Sequence, residues 1–364
     1  MSFSFGFTKE DLSDDEIEES NVGSSGQMCN AEGVSQSLIA FSERIEEAHL
    51  PKIHTIESLL STLRNVRLTF DNYTTPIGKN VIYRRELFDV KHQVMTEDDE
   101  ENAKVNEILI NTNNNDLEKR VYEGGFKSWE CSYDTVDKLS NLLKPKSDSI
   151  LTNYSSFLDF GCGTSLPTSY LIMEKFQSKN KRPSTFILSD YNYDVLRLVS
   201  LPNIIIHWAS TVDPEKLHNI TTNEDIPAQQ NDELLLTDRL LEEFLIDLKE
   251  YNINLVFISG SWGTQFNDLI EPLNVDFIIT SETIYSLETL PVVAGSIISI
   301  LSKSKANEGH ALIAAKNIYF GVGGSVVEFL NYFNKVKSGN FIVNVEEVND
   351  ASLKRSIIGI VYKS

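Results

Sequence analysis

Cysteine is scarce in this 364-residue chain: Cys29, Cys131 and Cys162 are all it has. An odd number at spacings unlike those of metal ligands speaks against a disulfide framework and a zinc site. A reducing cytosolic or nuclear compartment is expected instead. No run of 18 or more apolar residues occurs, so no membrane-spanning helix is expected. The first residues, Met1-Ser2-Phe3-Ser4-Phe5-Gly6-Phe7, lack the basic and apolar stretches of a secretory signal. Positive charge is in short supply, with 32 Lys and Arg against 53 Asp and Glu, a net charge of −21 and a pI near 4.7. Such a surface repels phosphate backbones and disfavours direct nucleic-acid binding. It either attracts a basic partner or serves only to keep the chain in solution.

What is present is enough apolar and aromatic side chain, 41% and 10%, for a well-filled core. Residues 1–50 open with an acidic run, Glu10 to Glu19, followed by Gly, Ser and Asn, and read as disordered. Phe3, Phe5 and Phe7 alternate within it and could form a short strand or a peptide anchor. Residues 51–120 form an extension: a helix over 55–66, then short extended pieces at 67–70, 81–83 and 87–90. From about 121 to 364 strand and helix signals alternate. Strands are expected at 155–160, 184–189, 203–208, 253–258, 274–280, 310–315, 341–346 and 356–362. Helices are expected at 128–144, 166–177, 192–200, 232–250, 288–302 and 322–335, with Asp232 and Thr289 as start signals. That alternation predicts an α/β fold, a mostly parallel sheet covered on both faces, with the last two strands as an antiparallel edge pair. The stretch 209–250 is long for a plain connection and is expected to carry an inserted helix.

The strongest local signal is Asp159-Phe160-Gly161-Cys162-Gly163-Thr164-Ser165-Leu166-Pro167, an apolar strand that turns through Gly-x-Gly into a helix. Glycines allow a tight turn and close backbone approach, and the helix start offers free N–H groups to an anion. Leu166 stands where a dinucleotide fingerprint has its third glycine, which lowers that reading. For S-adenosylmethionine the anion is the methionine carboxylate, and Asp159 could hold the ammonium. The next strand ends at Asp190, 27 positions after Gly163, where a carboxylate can accept ribose hydroxyls or simply cap the helix from Asn192. A third strand ends in Ser259-Gly260-Ser261-Trp262; the indole either flanks an adenine or packs in the core. A fourth ends in Ser281-Glu282-Thr283-Ile284-Tyr285, where Glu282 and Tyr285 are candidates for substrate contact and Glu282 is alternatively a helix-start carboxylate.

These blocks, together with Gly124-Gly125, Trp129-Glu130-Cys131 and Phe320-Gly321-Val322-Gly323-Gly324, resemble the seven-strand protein methyltransferases, above all the fungal form of the histidine protein methyltransferases. The resemblance spans nearly the whole chain except for 10–50, 95–115 and 209–230. It implies a class I, Rossmann-like methyltransferase domain that takes its methyl group from S-adenosylmethionine, without a metal. It further implies cofactor contacts from Ser128, Trp129, Glu130, Cys131, Ser132, Gly161, Asp190, Tyr191, Asn192, Gly260, Ser261, Trp262 and Ser281. The implied substrate is one histidine of a basic large-subunit ribosomal protein, ribosomal protein L-three, giving 3-methylhistidine with a role in ribosome biogenesis or translation.

In that chemistry an imidazole nitrogen displaces the sulfonium methyl in line. An imidazole of ordinary pKa, about 6.5, already has a free lone pair at pH 7, so approach geometry and tautomer matter more than base strength. Glu282, Tyr285 and Asn317, in that order, are the candidates to hold the other ring N–H. A lysine methyltransferase of the same fold and a noncatalytic chaperone for a basic ribosomal client are the rival readings. A monomer, found in cytoplasm and nucleus and binding neither nucleic acid nor membrane, completes the expectation.

Overall fold

The computed structural model describes residues 49–96, 124–144, 149–222, 232–348 and 353–364. The acidic run, the Phe3–Phe7 alternation and most of 95–115 lie outside them.

Eight strands form the main sheet: β1 (Lys52–His54), β4 (Ser156–Phe160), β5 (Ser184–Asp190), β7 (Ile253–Ser259), β8 (Phe277–Ser281), β9 (Glu308–Lys316), β10 (Phe341–Val348) and β11 (Arg355–Lys363). Their order is β1-β7-β5-β4-β8-β9-β11-β10. β7, β5, β4, β8 and β9 run parallel; β11 is antiparallel to both β9 and β10. Counted from β4 with the insert left out, that is 3-2-1-4-5-7-6 with the seventh strand reversed. This doubly wound order is the class I methyltransferase sheet, and the expected antiparallel edge pair is β10–β11.

The pleat sorts each strand between two cores. Phe157, Phe186, Leu188, Phe257 and Ile279 pack into one buried cluster; Leu158, Phe160, Ile187, Ile258 and Ile278 pack into the other. Strands buried on both faces read as unbroken apolar runs, which is why these segments were visible in the sequence. On the first face lie α3 (Glu130–Leu142), α5 (Leu166–Gln177), α7 (Leu201–Ala209) and α9 (Asp238–Glu250). On the second lie α10 (Thr264–Ile270), α11 (Leu290–Lys303) and α12 (Val326–Val336). The chain also contains α1 (Ile56–Ser61), α2 (Leu87–Thr96), α4 (Ile150–Asn153), α6 (Tyr193–Val195), which continues through a π-helical turn into α7, and α8 (Pro214–Thr221).

Three expectations are corrected. Residues 203–208 are helix α7, not a strand; all nine residues of α7 are buried, and an apolar run without a polar face carries no period that separates strand from helix. Residues 87–90 begin helix α2, where Val90, Gln93 and Val94 are buried at helical spacing. Asp232 does not start a helix: Glu233–Leu235 is a strand, β6, and Thr237 caps α9 by accepting the Leu240 N–H at 3.1 Å.

β6 belongs to the insert between β5 and β7. It joins β2 (Arg67–Thr74) and β3 (Val81–Arg85) of the extension in a three-stranded antiparallel sheet. His207 of α7 ties that sheet to the core: its Nε2 accepts the Tyr83 N–H at 3.2 Å, and Nδ1 faces the Asn203 carbonyl at 2.7 Å. Burial pushes its pKa down to about 4, so the ring is neutral with its proton on Nδ1. Asp137 of α3 binds the 75–80 turn through the Thr75 hydroxyl, the Ile77 N–H (3.1 Å) and the Asn80 amide (2.8 Å). The extension thereby fixes α3, whose start reaches the strand ends.

Candidate active site

The parallel strands end along one edge at Phe160, Asp190, Ser259, Ser281 and Lys316. Strand order reverses between β4 and β8, with later strands added on one side up to β7 and on the other from β8 onward, and the crevice outside such a switch point is where open α/β sheets bind ligands. After β4 the chain turns at Gly161 (φ +76°) and Gly163 (φ +48°), and the Gly161 and Cys162 N–H groups both donate to the Ser189 carbonyl, at 2.9 and 2.8 Å. A Cβ on Gly161 would sit 2.5 Å from the Thr283 methyl and 3.1 Å from the Trp262 ring. Only glycine fits this turn, both for space and for backbone angle.

Asp159 lies beneath the turn, buried, its carboxylate accepting the Thr168 hydroxyl at 2.7 Å. Burial, and then the charge of Asp190, pushes its pKa up to about 7 against the Thr168 hydrogen bond. Asp190 accepts the Gly163 N–H at 3.0 Å and the Asn192 N–H at 3.1 Å. It therefore does cap the turn into α6, with a carboxylate that offers about four lone-pair sites in all.

Trp262 divides its surface between the two roles weighed for it. Its ring lies 4.2 Å from Phe160, its Nε1–H donates to the Ser189 hydroxyl at 3.1 Å, and its far edge meets the Gly161 turn. Beside it the N-terminal extension crosses the corner formed by the ends of β5 and β7. The Ser261 N–H donates to the His49 carbonyl at 2.8 Å, the His49 ring stacks on Tyr191 at 4.9 Å, and a Cβ on Gly260 would lie 2.6 Å from the Leu50 carbonyl oxygen. His54 of β1 adds a 2.7 Å contact from Nε2 to the Ser259 hydroxyl. Sequence reading missed this strap, because nothing local to residues 49–54 signals a partner some two hundred residues away.

On the β8 side, Glu282 holds a left-handed backbone (φ +58°), its own N–H extending the ladder to the Ala314 carbonyl at 2.8 Å. A non-glycine residue in that region marks a constrained position. Its buried carboxylate accepts the Cys131 N–H at 3.2 Å, at the start of α3, and faces the Lys316 ammonium at 3.3 Å. Burial raises its pKa, while Lys316 and the Cys131 N–H hold it down. Lys316 also reaches Glu130 at 3.0 Å and stands 5.1 Å over the Trp129 ring. Glu282 thus caps a helix, α3, rather than the one following its own strand.

The other expected residues gather around the same edge. The Ser128 hydroxyl donates to Thr164 at 3.0 Å, Trp129 Nε1–H to the Gly124 carbonyl at 3.0 Å, and the Ser132 hydroxyl to the Trp129 carbonyl at 2.6 Å. Tyr285 is half-buried, and its carbonyl accepts the Gly324 N–H at 3.0 Å. The Asn317 side-chain oxygen accepts the Ser356 hydroxyl at 2.7 Å, so it is turned toward β11. Ser281 offers the test of fit for a ligand: its hydroxyl oxygen is buried and has no hydrogen-bond partner among the described residues. Such an orphan costs about 1–3 kcal/mol unless something polar satisfies it, and S-adenosylmethionine, which carries carboxylate, ammonium, hydroxyls and ring nitrogens, can do so. Lys316 and Thr283 were not singled out from sequence. Among the described residues no group of three or more His, Cys, Asp or Glu could hold a metal ion, and no helix is long and apolar enough to cross a membrane.

Comparison with known proteins places these residues in context. The chain is 40% identical to histidine protein methyltransferase 1 of Saccharomyces cerevisiae over 378 aligned positions, covering 99% of this chain and 98% of that one. It is 34% identical to the Schizosaccharomyces pombe protein of the same name, over 76% and 75% of the two chains. A Bos taurus homologue is 30% identical over 69% of this chain and 59% of its own length. No family model matches. An O-methyltransferase family protein of Burkholderia thailandensis superposes with a TM-score of 0.37 at 10% identity, over 76% and 68% of the chains; the strand order, not that likeness, carries the fold assignment.

Proposed function

The chain belongs to the histidine protein methyltransferase family, and from that premise we propose that it methylates one histidine of a basic large-subunit ribosomal protein, ribosomal protein L-three, giving 3-methylhistidine. The observation that carries the reading is identity spread over the whole chain. S-adenosylmethionine, when bound, supplies an electrophilic methyl on sulfonium. Asp159 and the Gly161–Gly163 turn hold its methionine end, Asp190 its ribose, and Tyr191, Gly260, Ser261 and Trp262 flank its base, with the Ser281 hydroxyl as a further donor.

The remaining work falls on substrate orientation. A neutral imidazole needs no strong base at pH 7, but the nitrogen facing the methyl must be the unprotonated one. Holding the opposite N–H with an acceptor sets that tautomer, and Glu282, already fixed by Cys131 and Lys316, is the first candidate, before Tyr285 and Asn317. A net charge of −21 draws a basic ribosomal protein toward the enzyme. A monomer acting in cytoplasm and nucleus, along the route of that substrate, is part of the same proposal.

The test is methylation of the purified ribosomal protein in vitro, with fragment mass spectrometry to place the methyl group. Transfer to one histidine supports the reading. Transfer to lysine replaces it with the lysine methyltransferase, and cofactor binding without transfer replaces it with a noncatalytic client-binding role.

A further inference from the structure

The turn after β9 lies outside the cofactor contacts proposed above, and it places apolar side chains in solvent beside the same crevice. Phe320 is 80% exposed and Ile318 59%, and Leu287, in the loop after β8, is 57% exposed. The two loops are joined. Ser286 and Gly323 form an antiparallel bridge, the Gly324 N–H donates to the Tyr285 carbonyl at 3.0 Å, and the Tyr319 N–H donates to the Gly324 carbonyl at 3.0 Å. The Leu287 side chain lies 3.5 Å from where a Cβ on Gly323 would stand. Gly321 and Gly323 hold left-handed φ of +83° and +84°, and Tyr319 beneath them is buried. The turn therefore has a defined shape, and the exposure of the Phe320 ring is set by bonded backbone on both sides rather than by a loose end.

Any protein histidine presents the same imidazole to the pocket, so choosing one histidine requires contacts outside it. Phe320 follows Asn317 by three residues and Leu287 follows Tyr285 by two. At the reach of an extended chain they lie within ~10 Å of those positions, about three residues along an extended substrate. Exposed Glu288 directly follows Leu287 in the chain. A second copy of this chain, with the same charge of −21, would be repelled from such a face.

Resting on the functional reading above, we propose that Leu287, Ile318 and Phe320 form a docking rim for the substrate segment flanking the target histidine. The rim receives an apolar side chain against the Phe320 ring, while the protein's net charge of −21 draws the basic side chains of the same segment. One exposed aromatic ring on an acidic protein is what a basic partner with one apolar contact residue fits.

The test is steady-state methylation of purified ribosomal protein L-three by wild type, Phe320→Ser and Phe320→Leu, with calorimetric titration of S-adenosylmethionine. Phe320→Ser raises the protein KM roughly ten- to hundred-fold, the loss of one buried aromatic contact. Phe320→Leu restores most of it, while kcat at saturation and cofactor Kd stay within about twofold, as for an exposed substitution. An unchanged KM overturns the rim. A parallel loss of cofactor affinity also overturns it, since the turn would then only brace the cradle. A wild-type dimer that Phe320→Ser dissolves in sedimentation overturns it in favour of self-association. If wild type leaves the ribosomal protein unmethylated, the functional reading fails and the rim falls with it; if wild type and Phe320→Ser methylate it equally well, the rim alone fails.

Discussion

Asp159→Asn tests whether the enzyme holds a buried carboxylate at the cost of its own stability. The Asp159 pKa is pushed up to about 7 from 3.8 by burial and by Asp190. The folded state thus binds a proton over a range where the unfolded chain has released it, and stability falls as pH rises from about 4 to about 7. At 1.36 kcal/mol per pKa unit the penalty at pH 8 is on the order of 4 kcal/mol, of which about 3 kcal/mol develops above pH 4.5. Asn keeps the oxygen that accepts the Thr168 hydroxyl and removes the titration. Urea unfolding of both proteins without cofactor should show the stability of Asp159→Asn relative to wild type improving by about 3 kcal/mol between pH 4.5 and pH 8. Binding should move the opposite way. A carboxylate is what attracts the ammonium of S-adenosylmethionine, so Asp159→Asn loses affinity, and wild-type affinity falls as pH drops below 7, by up to about tenfold per unit. A stability difference that stays flat across this range would refute the reasoning, because the carboxylate would then be ionised as easily folded as unfolded.

The other expectations concern individual contacts. Asp190→Ala should weaken S-adenosylmethionine binding by roughly 1.5–3 kcal/mol in calorimetry, with some loss of melting temperature because the Gly163 and Asn192 N–H groups lose their acceptor; unchanged affinity in a folded protein removes it from the site. Gly161→Ala should abolish turnover and lower stability by about 1–3 kcal/mol, since its Cβ meets Thr283 in a left-handed turn; retained turnover means the turn tolerates a side chain. Glu282→Gln keeps an acceptor oxygen for the Cys131 N–H and the substrate ring and should slow single turnover modestly, whereas Glu282→Ala should slow it far more; equal rates for wild type and Glu282→Ala would pass the tautomer role to Tyr285 or Asn317. The single-turnover rate of wild type should rise to about pH 6.5–7 and then level off with a histidine substrate, against a continued rise above pH 8 for lysine.

Much of the fold was legible because it rests on strands buried on both faces, whose apolar runs end in Asp, Ser or Glu where the ligand edge begins. The same rule misread α7: Asn203-Ile204-Ile205-Ile206 carries β-branched residues in a helix buried on every side, and an unbroken apolar run has no period to distinguish the two. The glycine turn was legible from local chemistry alone. The ring of contacts linking Glu282, Cys131, Lys316 and Glu130 was not, since it joins the start of α3 to the ends of β8 and β9. Likewise Asp190 was weighed as ribose ligand or cap, and it accepts backbone N–H groups from Gly163, 27 positions upstream, and from Asn192.

The strap at residues 49–54 bears on how this enzyme can be cut. β1 is three residues long and runs antiparallel along β7, covering what would otherwise be the open border of the sheet. A fragment starting near residue 121, where strand–helix alternation begins, would expose the unpaired N–H and C=O groups of β7. That is a template for another chain to pair with, so the fragment would tend to associate through strand addition rather than remain dispersed. It would also lose β2 and β3, leaving β6 without its partner. A soluble catalytic fragment of this protein is therefore expected to begin no later than His49, with the extension serving as the stop that ends sheet growth.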